Sequence, residues 1–530
     1  MTSRTGKIHS AANLPRPERG LGAEEAHTRM STLELSVVVA YALLLCVLSL
    51  YGVHRYAMAY LYYRHKYRLA VPKGRFEALP RVTIQLPIFN EMYVTERLID
   101  AVARIAYPCD LLEIQVLDDS TDETQGIARA CVDRHRKAGL DIHYVHRVDR
   151  RGYKAGALEH GLTLARGELV AIFDADFIPD PDFLERTVHY FTDPGVGLVQ
   201  TRWGHLNRGY SALTEAQAVM LDGHFIVEHC ARSRSGRFFN FNGTAGIWRR
   251  QAIEDGGGWQ HDTLTEDMDL SFRSQLAGWR FVYLPQLVTP AELPVDMNAF
   301  KAQQHRWAKG SIQTALKLLR TVWRSDQPAE VRRESVFHLT ANLAYLLMIP
   351  LAILLPITVV VRVSHGVLEV ILLDIPFFAA ASFSVAVFYV AAQLEQRRTV
   401  WQSIKYIPFV MALGIGLSVN QARAVFEALM GYETGFTRTP KHGVKAPGES
   451  VVKKRYKAAV TFQPIVEIGL AAYMTYGVLY LVEREVYWSL PFLFLFQFGF
   501  AYVGLTSLYE GLRGHVVRWA RTPAPQPTVE

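Results

Sequence analysis

Leu169-Val170-Ala171-Ile172-Phe173-Asp174-Ala175-Asp176 is the stretch on which the fold reading turns. The apolar run 169–173 reads as a buried strand, and two carboxylates one residue apart stand at its end. Alternation along an extended chain sends Asp174 and Asp176 to the same side. Acidic groups held together where hydration is lost need a positive partner, such as a divalent cation. Mg²⁺ or Mn²⁺ fits, because Mg²⁺ is usually held by one or two carboxylates together with the phosphates of a substrate. Aspartates capping a turn before Pro179 would account for the same residues without chemistry, so the flanking sequence has to decide.

Further strands with acidic ends lie on the N-terminal side. Val82-Thr83-Ile84-Gln85-Leu86 reads as a strand, and Pro87-Ile88-Phe89-Asn90-Glu91 turns out of it into a helix starting near Tyr93. Ile114-Gln115-Val116-Leu117 is another, ending in Asp118-Asp119-Ser120-Thr121-Asp122-Glu123, which also caps a helix over 123–138. Short strands followed by polar loops and helices predict a parallel α/β sheet, whose ligands sit at the carboxyl ends of the strands. Arg151-Gly152-Tyr153-Lys154-Ala155-Gly156-Ala157-Leu158 opens a helix with cations near its start, which suits an anion, although an ordinary turn with solvated basic residues has the same composition.

C-terminal to the Asp-x-Asp, Asn240-Phe241-Asn242-Gly243-Thr244-Ala245-Gly246 is small, polar and glycine-rich beside aromatics, suited to a hydroxyl-rich ligand. Thr265-Glu266-Asp267-Met268-Asp269-Leu270 begins an amphipathic helix with Thr265 as its N-cap. Its acids either favour the helix dipole or supply a general base for an attacking hydroxyl. Gln303-Gln304-His305-Arg306-Trp307 offers a guanidinium fork for a diphosphate and a flat face for a sugar ring; an interfacial Trp beside a snorkelling Arg is the plainer reading.

Apolar residues make up 50% of the 530 and charged ones 20%, and the apolar residues cluster. Residues 35–53, 339–361, 375–392, 465–482 and 487–508 are each long and apolar enough to cross a bilayer, which predicts five spans. The first lies too deep in the chain for a cleaved signal peptide. Arg55, Arg64, Lys66, Arg68, Lys73, Arg75 and Arg81 follow it, which puts the N-terminus outside and the segment to about residue 335 in the cytoplasm. Basic residues at 441–457 also favour the inside, so residues 396–430 are read as lying in the inner interface. The net charge of +7 is then inner-face charge beside anionic lipid and no nucleic-acid signal, since the basic runs lack interleaved aromatics. Cys46, Cys109, Cys131 and Cys230 have neither metal-like nor paired spacing and predict reduced thiols.

In this order the motifs resemble those of glycosyltransferase family 2, in its membrane-embedded branch of cellulose, chitin, hyaluronan and mannan synthases. The family's nucleotide-binding aspartate, Asp-x-Asp, Thr-Glu-Asp and Gln-x-x-Arg-Trp elements match Asp118 and Asp119, residues 174–176, residues 265–267 and residues 303–307. The chain is most similar to the cellulose synthase-like A and C groups, which make β-mannan or glucomannan and β-glucan backbones. Gln85-Leu86-Pro87-Ile88-Phe89-Asn90-Glu91 and Phe241-Asn242-Gly243-Thr244-Ala245-Gly246 are among the stretches that carry that likeness. Phe436-Thr437-Arg438-Thr439-Pro440-Lys441 resembles the gating loop of cellulose synthases, departing from it at Arg438 and Pro440.

The resemblance implies an α/β GT-A-like cytoplasmic domain inserted into an α-helical transmembrane domain of about five spans plus interfacial helices. The implied order is a flexible segment (1–34), a first span (35–63), the GT-A domain (80–300), interfacial helices (301–335), two spans (339–392), an interfacial helix (396–430), the gating loop (431–457), two spans (463–508) and a cytoplasmic tail (509–530). It also implies processive, inverting transfer of hexose from UDP-glucose or GDP-mannose to a growing β-glycan, with secretion across the membrane. Asp118 and Asp119 would hold the nucleoside, Lys154 and Arg306 the diphosphate, and Asp176 the Mg²⁺ or Mn²⁺. Asp267 with Glu266 would act as catalytic carboxylates. Asp174, Asn242, Gly243, Thr244 and Gln303 would bind substrate, Trp307 would stack on the acceptor sugar, and Thr439 and Lys441 would close over the nucleotide. A non-processive lipid glycosyltransferase of the ceramide type and a catalytically silent glycan exporter or scaffold are the alternatives.

Overall fold

Strand β1 (Val82–Ile88) is buried along its whole length in the interior of the sheet, so its polar side chains need partners inside the protein. They have them: Thr83 Oγ1 donates to Glu113 Oε2 at 2.7 Å and accepts from the Gly167 N–H at 2.9 Å, while Gln85 Nε2 donates to Gln115 Oε1 at 3.1 Å. The computed structural model describes residues 30–365, 376–377, 379–433, 435, 439, 441–444, 462–487 and 489–519, to which the structural statements here refer. Around β1 stand β2 (Leu112–Asp118), β3 (Ile142–His146), β4 (Leu169–Ile172), β5 (Val196–His205), β6 (Gly246–Arg249) and β7 (Arg280–Ala291). The sheet order is β3-β2-β1-β4-β6-β5-β7.

The sheet is parallel from β3 to β4, as the sequence pattern predicts, but β6 runs antiparallel to both β4 and β5. This reversal brings the loops together. Ile88 pairs with Asp118, and Ile172 at the carboxyl end of β4 pairs with Gly246 at the start of β6. The 242–244 loop that precedes β6 therefore meets the residues that follow β1, β2 and β4. Gln200 also pairs with Gly246, so the last residues of β5, including Trp203 and His205, extend to the same edge. β7 runs parallel to β5 and delivers Glu292 there too. β1 continues through Pro87, two residues past its last β4 partner, Gln85. Its missing N–H costs no rung on that side.

Four described helices are long and apolar enough to cross a membrane: Thr32–His65, Leu343–His365, Gln463–Glu483 and Leu490–Arg513. The helices Val400–Gly416 and Ser418–Leu429 pass the same test as a pair bent by 42°, which gives up to five spans. Residues 396–430, assigned to the interface from their flanking charge, are thus a broken helix with the composition of a span. The 375–392 segment is, within the described residues, the shorter apolar helix Ala379–Glu395. Phe436, Thr437, Arg438, Pro440 and the basic run 445–461 lie outside the described residues.

The helix Met297–Arg324 joins the sheet domain to these apolar helices. Asp296 caps it, accepting from the Ala299 N–H at 2.8 Å. It carries Gln303, Arg306 and Trp307 along one flank of the cleft. Gly310 on this helix sits against Thr265, the residue before Glu266, and an added Cβ would fall 2.5 Å from Thr265 Cγ2 and 2.7 Å from its backbone nitrogen. Backbone cannot yield as a side-chain tip can, so Gly310→Val should cost about 1–3 kcal/mol of overpacking strain. Thermal unfolding in detergent checks this: the variant should melt at lower temperature, and an unchanged midpoint would contradict the contact.

Candidate active site

A single cleft at the shared strand edge is lined by Glu91, Asp119, Asp174, Asp176, Glu266 and Asp267, with Lys154, Arg306 and Lys441 among them. Asp174 follows β4 directly, and its backbone N–H is held by Thr244 Oγ1 at 2.9 Å. Lys154, on the first turn of the helix Tyr153–Leu164, reaches across to Asp174 Oδ1 at 2.5 Å and to the Gly243 carbonyl at 2.9 Å. Gly243 has φ +78°, and a Cβ there would come 3.1 Å from Asp267 Oδ2 and 3.3 Å from Lys154 Nζ. Glycine thus admits the ammonium and the carboxylate on both sides of the loop.

Burial dominates the electrostatics. It pushes Asp267 up to about 7, with the neighbouring Glu266 charge adding to the rise and Lys154 opposing it. Glu266 and Asp174 are raised for the same first reason, again against Lys154. Lys154 itself loses hydration, yet Asp174, Glu266 and Asp267 outweigh that and raise its pKa, so the ammonium persists. Arg306, half-buried on the opposite flank, is lowered by desolvation against the pull of Glu266, Asp174 and Asp267. A carboxyl poised near neutrality, beside fixed cations and open to a cleft, can exchange a proton with a bound hydroxyl.

Asp174 and Asp176 both face the cleft, and each pairs with a lysine of its own. The strand ends at Ile172, and the Phe177 N–H bonds the Asp174 carbonyl at 3.0 Å, so the acids sit on a turn instead of an extended run. Asp176 Oδ2 instead accepts from Lys441 Nζ at 2.6 Å. Lys441 also donates to the Glu292 carbonyl at 2.7 Å, while the Glu292 carboxylate receives the N–H groups of His442 at 2.7 Å and Val444 at 3.1 Å. Residues 441–444 are therefore strapped to the cleft by Glu292. Among the described residues no group of three or more His, Cys, Asp or Glu side chains could hold a metal ion alone. Asp176 fits one all the same, as a buried carboxylate already holding a positive charge, with substrate phosphates as further ligands.

The predicted site residues mostly converge. Asp119, Lys154, Asp174, Asp176, Asn242, Gly243, Glu266, Asp267, Gln303, Arg306, Trp307, Thr439 and Lys441 all line the cleft. Two others do not. Asp118 is fully buried behind the lining, with Oδ1 taking the Ser120 N–H at 2.9 Å and Oδ2 the Tyr144 hydroxyl at 2.7 Å, so it shapes the loop that carries Asp119. Thr244 is equally buried and acts through the Asp174 N–H. Thr265 makes no side-chain cap; its hydroxyl lies 3.2 Å from that of Thr314.

Residues 80–310 match the sequence family described as Glycosyltransferase like family 2. Over 457 residues the chain is 34% identical to the "Probable glucomannan 4-beta-mannosyltransferase 9" of Oryza sativa subsp. japonica, covering 81% of this chain and 82% of that protein. The chain belongs to glycosyltransferase family 2. It is also 41% identical over 301 residues to "Glucomannan 4-beta-mannosyltransferase 1" of the same organism, covering 54% of this chain and 58% of that relative. In this alignment and the two that follow it in similarity, the chain spans little more than half of the relative's length. Among solved structures, the mannosyltransferase PcManGT of Pyrobaculum calidifontis, in complex with GDP-Man and Mn²⁺, is 24% identical, with a TM-score of 0.48, 67% of this chain covered and 99% of that one.

Several residues in or behind the cleft of this family 2 chain escape sequence reasoning. Arg147 clamps Asp119 with Nε on Oδ1 at 2.8 Å and Nη2 on Oδ2 at 2.5 Å. Trp203 stands 6.4 Å from Trp307 between ring centroids and 5.2 Å from Phe177, forming an aromatic wall. Arg150 lies 3.3 Å above the Phe89 ring. Glu292 carries no local signal, being a lone acid after a strand. Trp203 could have been flagged by its place at the cleft end of β5.

The raised Asp267 predicts a pH dependence. The native state keeps this proton up to about 7, whereas the unfolded chain releases it near the ordinary value of 3.8. Between those values the native state binds more protons, so this group's contribution to stability falls as pH rises. Asp267→Asn removes the buried charge, and its thermal midpoint should therefore gain on wild type between pH 5 and pH 8; an offset independent of pH would contradict the shift.

Proposed function

We propose that this chain is an inverting β-mannosyltransferase, moving mannose from GDP-mannose to the non-reducing end of a β-linked mannan or glucomannan. The observation that carries the reading is Asp267, a carboxyl pushed up to about 7 in the same cleft as Lys154, Arg306 and Lys441. The shared name of the relatives at 34% and 41% identity supports mannose over glucose. Processive elongation and passage of the product through the apolar helices, with the sheet domain on their cytoplasmic side, complete the proposal.

In this mechanism the ionised Asp267 takes the proton from the acceptor hydroxyl, whose oxygen then attacks the anomeric carbon of the donor sugar. The bond from that carbon to the diphosphate oxygen breaks, and the configuration inverts. Arg306 and Lys154 stabilise the negative charge arriving on the departing nucleoside diphosphate, Arg306 through its planar fork. Trp307, with Trp203 behind it, gives the acceptor ring an apolar face. A divalent ion held by Asp176 would supply Lewis-acid neutralisation of the leaving phosphates. Lys441 would exchange its bond to Asp176 for the diphosphate, keeping the charge balance of the cleft.

The purified chain in lipid nanodiscs, given GDP-mannose, a divalent ion and β-mannooligosaccharides, should lengthen the acceptor, and β-mannanase should digest the product. Asp267→Asn should lower the rate by about 10²–10⁴-fold while still binding GDP-mannose. Transfer from UDP-glucose alone would overturn the choice of sugar, and full activity of the Asn variant would overturn the base.

A further inference from the structure

A chain of polar side chains runs from the cleft wall to the first apolar helix, and the transfer mechanism makes no use of it. Asn242 Nδ2 lies 3.1 Å from His224 Nε2, and His224 Nδ1 lies 3.0 Å from Glu228 Oε2. Arg232 approaches the same Glu228 oxygen with Nη1 at 3.4 Å and donates through Nε to Glu334 Oε1 at 2.9 Å. Glu334 Oε2 then meets His54 Nε2, on the helix Thr32–His65, at 2.9 Å. His224 and Glu228 belong to Gly223–His229, which is wound as a π-helix between the α-helices Ala212–Asp222 and Cys230–Arg234. Insertions of this kind are frequent at functional sites.

Hydrogen-bond chemistry fixes the direction of this chain. Burial opposes the charge of Glu228, but Arg232 and His224 outweigh it and hold its pKa down, so its oxygens only accept. Asn242 Nδ2, a donor only, faces His224 Nε2, so that nitrogen presents a lone pair and the ring proton lies on Nδ1 toward Glu228. The other end of the amide, Oδ1, is buried and has no hydrogen-bond partner among the described residues. Asn242 lines the cleft, next to the glycine whose Cβ would fall 3.1 Å from Asp267 Oδ2. A buried acceptor without a donor is costly, and a sugar hydroxyl is the donor such a cleft receives.

Resting on the hexose-transfer reading, we infer that Asn242 Oδ1 accepts a hydrogen bond from a hydroxyl of a sugar bound in the cleft, and that His224 and Glu228 are positioning residues that orient the amide for it. The hydroxyl can belong to the acceptor or to the donor mannose, and the experiment separates the two sources.

Full-length protein in nanodiscs is assayed with GDP-mannose and β-mannooligosaccharides, each also supplied singly deoxygenated, in wild type, Asn242→Ala and His224→Phe. Wild type should lose about 10-fold in kcat/KM with one deoxy compound, the order expected for an unpaired buried acceptor. Asn242→Ala should lose a similar factor with the parent compound and nothing further with that deoxy one. His224→Phe should raise KM for the same sugar substrate by several-fold, leave KM for the other substrate unchanged, and shrink the deoxy penalty. Penalties that multiply in Asn242→Ala for every deoxy compound would overturn the inference. So would a His224→Phe variant that keeps the full wild-type penalty. If His224→Phe fails to fold, Asn242→Ala still decides, with an unchanged circular-dichroism spectrum and cooperative thermal unfolding as its folding control. Absence of transfer by wild type would overturn the mannosyltransferase reading itself, a different outcome from transfer with multiplying penalties.

Discussion

Lys154 is the cation around which the cleft is assembled. It sits among Asp174, Glu266 and Asp267, each of which burial would neutralise if it stood alone. Charges taken out of water are tolerated only when paired and hydrogen-bonded, and its ammonium supplies both at once, to Asp174 and to the Gly243 carbonyl. The pairing places that ammonium on Asp174, and burial with the Glu266 charge beside it raises Asp267 against the pull of Lys154. The balance holds its ionisation near neutrality, the condition for proton exchange with a hydroxyl.

Such a cluster can be built because the sheet collects loops from distant parts of the chain on one edge. β1, β2 and β4 deliver their carboxyl ends there as parallel strands, and β6 delivers its amino end because it runs the other way. An all-parallel sheet would have carried the 242–244 loop to the opposite edge, away from Asp174 and Lys154. The reversal of one short strand is therefore what joins the glycine-rich loop to the acidic one.

The strands ending at Asp118 and before Asp174, and the acids and cations of the motifs, were legible because each is written in contiguous residues. The reversal of β6 was not, since four residues carry no sign of strand direction. The different placing of Asp118 and Asp119 was hidden for a related reason: adjacent aspartates look equivalent in sequence, but one turns inward to Tyr144 and Ser120 while the other faces the cleft and Arg147. Thr265 looked like a cap, yet close packing against Gly310 and Thr314 claims its side chain. Arg147, Trp203 and Glu292 act through partners tens to hundreds of positions away, which local patterns do not encode. In the 396–430 segment the flanking basic residues argued for the interface, while the apolar helix Val400–Gly416 and the amphipathic helix Ser418–Leu429 together form a bent pair that also has the length and composition of a span.

The contacts between the sheet domain and the apolar helices bear on how the cleft keeps its shape. Lys301 reaches Glu467 at 2.6 Å, Lys309 reaches Glu427 at 3.1 Å, and Glu334 meets both Arg232 at 2.9 Å and His54 at 2.9 Å. Buried ion pairs add little net stability, because desolvation consumes most of their Coulomb gain, whereas a mispaired one leaves an uncompensated charge. They act as registration pins: a slide of the helix Met297–Arg324 would strand Lys301 and Lys309 together. The same helix carries Arg306 and Trp307, so the geometry that satisfies those buried lysines also fixes where the guanidinium and the indole face the cleft.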